Sequence, residues 1–210
     1  MVDISFLKAL FLQKGTREAK KNSNSDILII SSNYNPKTSI GCKVVELSLK
    51  ELKKTKSFNY ELINLYDYNI PFYRFNLKTP ISYQKLINKF NKYSNYLFIF
   101  PVWFSNVPAV FKNFIDWSGS WGMKKNLNGK FEGVLDNKKA IVIATCWDKR
   151  SEYIKKLEKT IDFQIHEDVF SNYNIDYFGD LIISDAHRFD DKLLKKYSQK
   201  VKKLVASMLV

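Results

Sequence analysis

Cysteine, histidine, arginine and glycine are all scarce in this 210-residue chain, and each scarcity removes a class of function. The two cysteines, Cys42 and Cys146, form neither a C-x-x-C pair nor a disulfide framework, which suits a reducing compartment and makes the cytoplasm the expected location. His166 and His187 are the only histidines. Phe170 stands where a second zinc-binding histidine would follow His166-Glu167, and neither histidine lies near a cysteine, so no metal site is expected. The seven glycines give no G-x-G-x-x-G after a strand, and no G-x-x-x-x-G-K-[ST] occurs; dinucleotide-type Rossmann enzymes and P-loop ATPases are disfavoured. Long apolar runs are missing too. Those around 27–30 and 140–144 are strand-sized, well short of the roughly 20 residues of a membrane helix, so no span is expected.

Acidic residues are outnumbered, and the formal net charge of +13 raises nucleic acid or an anionic surface as a partner. Composition argues against nucleic acid. Only four of the 34 basic residues are arginines (Arg17, Arg74, Arg150 and Arg188), and arginine is the side chain suited to bidentate contacts with phosphates and bases. Lysines such as Lys192, Lys195, Lys196 and Lys200 instead decorate a helix-like stretch, as a solvated face would.

What is present is a chain 45% hydrophobic and 15% aromatic, enough for one domain with a substantial core. After a polar stretch at 20–25, apolar β-branched residues at 26–31 read as a buried strand. Val44, Val45, Leu47, Leu49 and Leu52 then recur near helical spacing, predicting a helix over 40–52. The alternation continues with strands at 60–65, 96–100, 139–145 and 175–183, and helices at 83–93, 108–117, 153–163 and 190–208. It predicts an α/β fold, a five-stranded parallel sheet with helices on both faces. Connections at 66–80 and 119–137 exceed ordinary loop length and are candidate functional loops. Residues 1–25 read as an N-terminal extension, in which Ile4, Leu7, Leu10 and Phe11 share one helical face, before a domain at 26–210.

In open α/β sheets ligands bind beyond the carboxyl ends of the strands, where strand order reverses, so three loops matter most. The first, 31–39 (Ser-Ser-Asn-Tyr-Asn-Pro-Lys-Thr-Ser), offers hydroxyls, amides and the free N–H groups of a helix start, a set that satisfies phosphate oxygens. A polar turn with Thr38 or Ser39 capping the helix fits the segment nearly as well. The second, Pro101-Val102-Trp103-Phe104-Ser105-Asn106-Val107-Pro108, is an aromatic loop between two prolines, able to present backbone groups to a heteroaromatic ring while its side chains exclude water. The third is Thr145-Cys146-Trp147-Asp148.

The stretch from Pro101 through Pro108-Ala109-Val110-Phe111-Lys112-Asn113-Phe114-Ile115-Asp116 resembles the signature of the flavodoxin-like NAD(P)H quinone reductases, a family that includes the DT-diaphorases and the FMN-dependent azoreductases. Asn64-Leu65-Tyr66-Asp67 and Gly133-Val134-Leu135-Asp136-Asn137-Lys138-Lys139 resemble further elements of that family. The resemblance implies a flavodoxin-like three-layer sandwich. It implies bound FMN, with FAD the alternative, and NAD(P)H as co-substrate in a ping-pong transfer to quinones, azo or nitro compounds. By position it assigns Ser32, Thr38 and Ser39 to the flavin phosphate, and Pro101, Val102, Trp103 and Phe104 to the isoalloxazine. Thr145, Cys146 and Trp147 fall at the ring's pyrimidine edge. There the chain departs from its relatives, which build that turn with glycine: Trp147 either turns aside or covers the pocket. Tyr153 matches a tyrosine that lines the substrate pocket in some relatives, and a surface tyrosine at a helix start is the competing reading. The resemblance further implies a homodimer, with Trp121 and Phe131 offered as contact residues. An electron carrier on the same fold is the rival function.

Overall fold

The computed structural model describes residues 26–74, 76–188 and 190–210, so the N-terminal extension lies outside the described residues. Strand β1, Ile27–Ser31, is buried at every position, as a central parallel strand covered on both faces must be. It leads through loop 32–39 into α1, Ile40–Leu52, whose buried residues Val44, Val45, Leu49 and Leu52 fall on one face. Then come β2 (Tyr60–Asn64), α2 (Ile81–Phe90), β3 (Asn95–Pro101) and α3 (Ala109–Gly122). A short ribbon, β4 (Met123–Lys125) and β5 (Phe131–Gly133), precedes β6 (Lys138–Thr145), α4 (Ser151–Ile161), β7 (Ile175–Ile183) and α5 (Asp191–Met208).

The main sheet has five strands in the order β2-β1-β3-β6-β7, and every neighbouring pair is parallel. The chain moves outward from β1 to β2, then crosses back to β3, so strand order reverses between β1 and β3. The carboxyl ends of those strands are the place to look for a ligand.

Alternation along the strands divides the core into two chemically different halves. Ile27, Ile29, Leu97, Ile99, Ile141 and Ile143 face α1 and α5 in an aliphatic layer completed by Val201 and Val205. Tyr96, Phe98 and Phe100 face the other way, onto Phe90, Phe111 and Trp117. Phe90 stacks on Tyr96 with ring centroids 3.9 Å apart. Each such fully buried side chain contributes on the order of 1.5–3 kcal/mol relative to an exposed one, so both layers hold the sheet firmly and its loops are carried on a rigid edge.

Several boundaries differ from the sequence expectation. Helix α3 runs on to Gly122, and the 119–137 excursion contains the antiparallel β4–β5 ribbon. The added turn places Trp121 four residues beyond Trp117 on the same buried face. Trp121 is only 7% exposed and its Nε1 donates to the Tyr83 hydroxyl at 2.9 Å. It therefore belongs to the core and is not the contact-surface residue expected, whereas Phe131 is 69% exposed. Gly133 is required where the ribbon meets the chain, because a Cβ there would lie 2.4 Å from the Tyr173 carbonyl carbon. Beyond Ile161, α4 widens into a π-helical stretch, Asp162–Ser171. Strand β2 stops at Asn64, whose side chain accepts from Tyr66 N and turns the chain into a 3-10 turn, Leu65–Asp67.

Candidate active site

Loop 32–39 is organised by its own short polar side chains. Asn35 Oδ1 accepts from Lys37 N at 3.1 Å, and Ser39 caps α1 by accepting from Cys42 N at 3.4 Å while donating to Asn33 Oδ1 at 3.0 Å. Asn33 in turn donates through Nδ2 to Ser31 Oγ at 3.1 Å. Thr38 is exposed and its hydroxyl donates to Asn35 O at 3.3 Å. Ser32 differs from all of these: it is 1% exposed and its Oγ has no hydrogen-bond partner. Leaving a buried hydroxyl unpaired costs about 1–3 kcal/mol, and such orphans call for an explanation. At the far end of the loop the N–H groups of Ile40 and Gly41, in the first helical turn, have no acceptor within the helix. The turn also carries the positive end of the helix dipole. A Cβ at Gly41 would sit 3.0 Å from Ile99 Cγ2 and 3.0 Å from Thr145 Cγ2. The glycine thus lets this donor-rich turn lie directly on the ends of β3 and β6.

The second loop is shaped by backbone geometry rather than side-chain bonding. Pro101 and Thr145 end their strands in register, and Val102 N donates to Thr145 O at 2.8 Å. Trp103 and Asn106 exchange both backbone hydrogen bonds at 3.0 Å, closing a two-residue turn. Its central residues, Phe104 at φ +50° and Ser105 at φ +61°, both have left-handed backbone. That is a type I′ turn, which favours Asn-Gly; each non-glycine residue there is strained by about 1–3 kcal/mol. Phe104 is completely exposed at the tip of this turn.

The third loop closes a cleft of about 730 Å³ against the second, with Val102, Trp103 and Phe104 on one side and Cys146, Trp147 and Tyr153 on the other. Trp147, 66% exposed, stands between two other rings, 6.2 Å from Trp103 and 5.8 Å from His187. It therefore stands in the wall of the cleft, neither turned aside nor laid over the opening, the two positions expected from the sequence. Cys146 is buried behind it: its N–H donates to Ile183 O at 3.0 Å, its Sγ to Asp148 O at 3.3 Å, and burial pushes the thiol up to about 11. Arg150 grips Asp148 with two nitrogens, Nε at 3.0 Å and Nη2 at 2.5 Å, holding that carboxyl down at about 2. The same guanidinium lies 6.0 Å from the Tyr153 ring. Ser105 Oγ donates to the Tyr153 hydroxyl at 3.2 Å across the cleft.

Val102, Trp103, Phe104, Cys146, Trp147 and Tyr153 are thus brought together, while Pro101 and Thr145 form the strand ends behind them and Ser32, Thr38 and Ser39 belong to the neighbouring donor cradle. Sequence reasoning missed Ser105, the Asp148–Arg150 fork and His187. Only the D-x-R spacing ahead of α4 gave any sign of them. The donor set around Ser32 fits a phosphate monoester, and a cleft within the roughly 300–1,000 Å³ of ligand pockets, walled by tryptophan and tyrosine, fits a flat heteroaromatic ring. The residues present therefore fit a flavin mononucleotide.

Comparison with other proteins agrees at the level of fold. The FMN-dependent NADH-azoreductase of Bacillus anthracis, whose structure contains FMN, superposes with a TM-score of 0.66 at 19% identity, covering 88% of this chain and 99% of that one. The NAD(P)H:quinone oxidoreductase of Methanothermobacter marburgensis gives a TM-score of 0.71 at 14% identity, covering 86% and 96%. No curated protein is similar to the chain in sequence. The family model described as flavodoxin-like fold matches residues 25–205, nearly the whole sequence. With its strand order and its loops at the β1/β3 reversal, the chain belongs to the flavodoxin-like fold family.

Proposed function

We propose that the protein is an FMN-dependent NAD(P)H oxidoreductase that reduces quinones or related electron-poor aromatics. One observation carries the reading: the orphaned Ser32 hydroxyl and the free first turn of α1 lie at the same sheet edge as an open aromatic cleft. Each half alone is ordinary, and together they match a ligand with an anionic tail and a flat head. The structural neighbours named as an azoreductase and a quinone oxidoreductase support the same reading.

In this reading Ser32 and the N–H groups of Ile40 and Gly41 would hold the phosphate, while Ser39 and Thr38, whose hydroxyl protons go to Asn33 Oδ1 and Asn35 O, would shape the loop around it. Val102, Trp103 and Phe104 lie along the ring, and Thr145 and Cys146 fix its far edge through the strand pairing behind them. FMN, when bound, would supply the two-electron redox chemistry that links NAD(P)H to the acceptor. The protein's own task is positioning and exclusion of water. Trp147 and Trp103 present flat faces on which a planar acceptor stacks. Tyr153 presents a hydroxyl at the cleft wall as a hydrogen-bond donor to the acceptor's oxygen. The size of the cleft favours a reductase over an electron carrier, because a second flat molecule must enter. Exposed Phe104 and Phe131 fit a homodimer, which light scattering at micromolar concentration would test.

The decisive assay combines colour and turnover. The purified protein should be yellow, release FMN on denaturation, and oxidise NADPH or NADH when menadione is added. A colourless protein that fails to take up FMN would overturn the proposal, and a yellow protein with no menadione-dependent oxidation would identify a carrier.

A further inference from the structure

We infer that Ser105 is a positioning residue for Tyr153, holding the tyrosine so that its own O–H proton is free for an oxygen of the acceptor. The inference rests on the oxidoreductase reading above and deepens it toward acceptors that present a carbonyl or nitro oxygen. In the 3.2 Å contact the angles fit Ser105 Oγ as donor and the Tyr153 oxygen as acceptor. The phenolic proton then has no acceptor among the described residues and lies on the wall of the cleft. With one lone pair of its oxygen engaged by Ser105 and its proton unengaged, the Tyr153 hydroxyl is set to meet a ligand oxygen as a donor.

The backbone at Ser105 is itself strained. Ser105 sits at φ +61° in a turn where glycine would be unstrained. Within its own loop the serine side chain makes no hydrogen bond; its contact reaches 48 residues along the chain to the start of α4. A strained residue whose only polar contact is to a cleft tyrosine points to a role in the site rather than in the turn. Arg150, pinned by Asp148, braces the Tyr153 ring from another side. The tyrosine is therefore fixed by groups from both loops that wall the cleft. Ring loop and third loop are joined here by side chains as well as by the strand pairing behind them.

The test measures binding of menadione to the oxidised protein without NAD(P)H, through quenching of tryptophan fluorescence, with flavin content determined on the same samples. Ser105→Ala and Ser105→Gly differ in backbone strain but share the loss of the hydroxyl. Both should weaken menadione binding by the same factor, about 2- to 10-fold, as expected for one hydrogen bond. In a Tyr153→Phe background neither substitution should have a further effect. Unchanged affinity in the Ser105 variants, unequal effects of Ala and Gly, or equal weakening in the Tyr153→Phe background would each overturn the inference. If menadione does not bind the flavin-loaded wild type, it is likewise overturned. Absence of flavin from every sample would instead overturn the oxidoreductase reading on which it rests.

Discussion

Loops 32–39 and 101–108 leave adjacent strands of one sheet, yet they are built on opposite plans. The first is held by hydrogen bonds among asparagines and serines and leaves one buried hydroxyl, that of Ser32, without a partner. The second is held by a strained backbone turn and exposes Phe104 fully. A loop that must meet concentrated negative charge needs fixed donors and pre-set N–H groups. A loop that must meet a flat, weakly polar ring needs surface and shape, and strain can supply that shape. The contrast assigns anionic tail to one loop and aromatic head to the other.

Breaking the donor cradle should have the largest effect. Ser32→Ala should lower FMN affinity about 10- to 100-fold, the value of one hydrogen bond to a charged oxygen, and leave riboflavin affinity unchanged. The same substitution should stabilise the flavin-free protein, because it removes an unpaired buried hydroxyl. Titration calorimetry and thermal melts on the same variant check the two opposite signs. The ring loop should show the same pair of opposite effects. Replacing Phe104 and Ser105 together by Asn-Gly suits the type I′ turn and should raise stability by about 1–3 kcal/mol, read as a higher midpoint in denaturant. Menadione binding should fall in the same variant, since both replaced side chains line the cleft.

The broad fold was legible in the sequence because it rests on periodicity. Strand 175–183 and helix 40–52 fall where apolar spacing put them, and β3 and β6 differ by a residue or so. Short elements escaped. The three-residue strands of the β4–β5 ribbon are too brief for an alternation to register, and the π-helical stretch Asp162–Ser171 has no pattern of its own. At the site, the aromatic residues of both ring loops could be named from the chain, since their loops follow strands. The contact of Ser105 with Tyr153, and that of His187 with Trp147, could not. They join segments 48 and 40 residues apart through side-chain placement that no local pattern encodes. The orphaned state of Ser32 is likewise a property of packing, although the residue itself was singled out.

A smaller effect sharpens the ring side of the comparison. Trp147→Gly removes one stacking face from the cleft wall and should weaken menadione binding by up to about 10-fold, consistent with about 0.5–1.5 kcal/mol for an aromatic contact. FMN content should stay constant, because the tryptophan stands on the wall and not under the phosphate. If flavin is lost as well, the third loop carries more of the cofactor than assigned.

The smallest expected change concerns Cys146. Its thiol, pushed up to about 11 by burial, stays protonated at neutral pH. Iodoacetamide at pH 8 should therefore leave it unmodified in the folded protein and modify it after unfolding, as mass spectrometry would show. The stability consequence has a definite sign. The folded state keeps this proton between the ordinary thiol value of about 9 and about 11 while the unfolded chain loses it, so Cys146 contributes a fall in stability as pH rises through that window. Cys146→Ser should flatten the decline.

The most direct test of the two-loop assignment compares FMN and riboflavin, which share a ring and differ by a phosphate. Two or three charge-assisted hydrogen bonds from the 32–41 segment predict that FMN binds at least about 100-fold more tightly than riboflavin, with the preference weakened by Ser32→Ala. Equal affinities for the two, or a preference that Ser32→Ala leaves intact, would contradict the placement of the phosphate in this cradle and with it the division of labour between the loops.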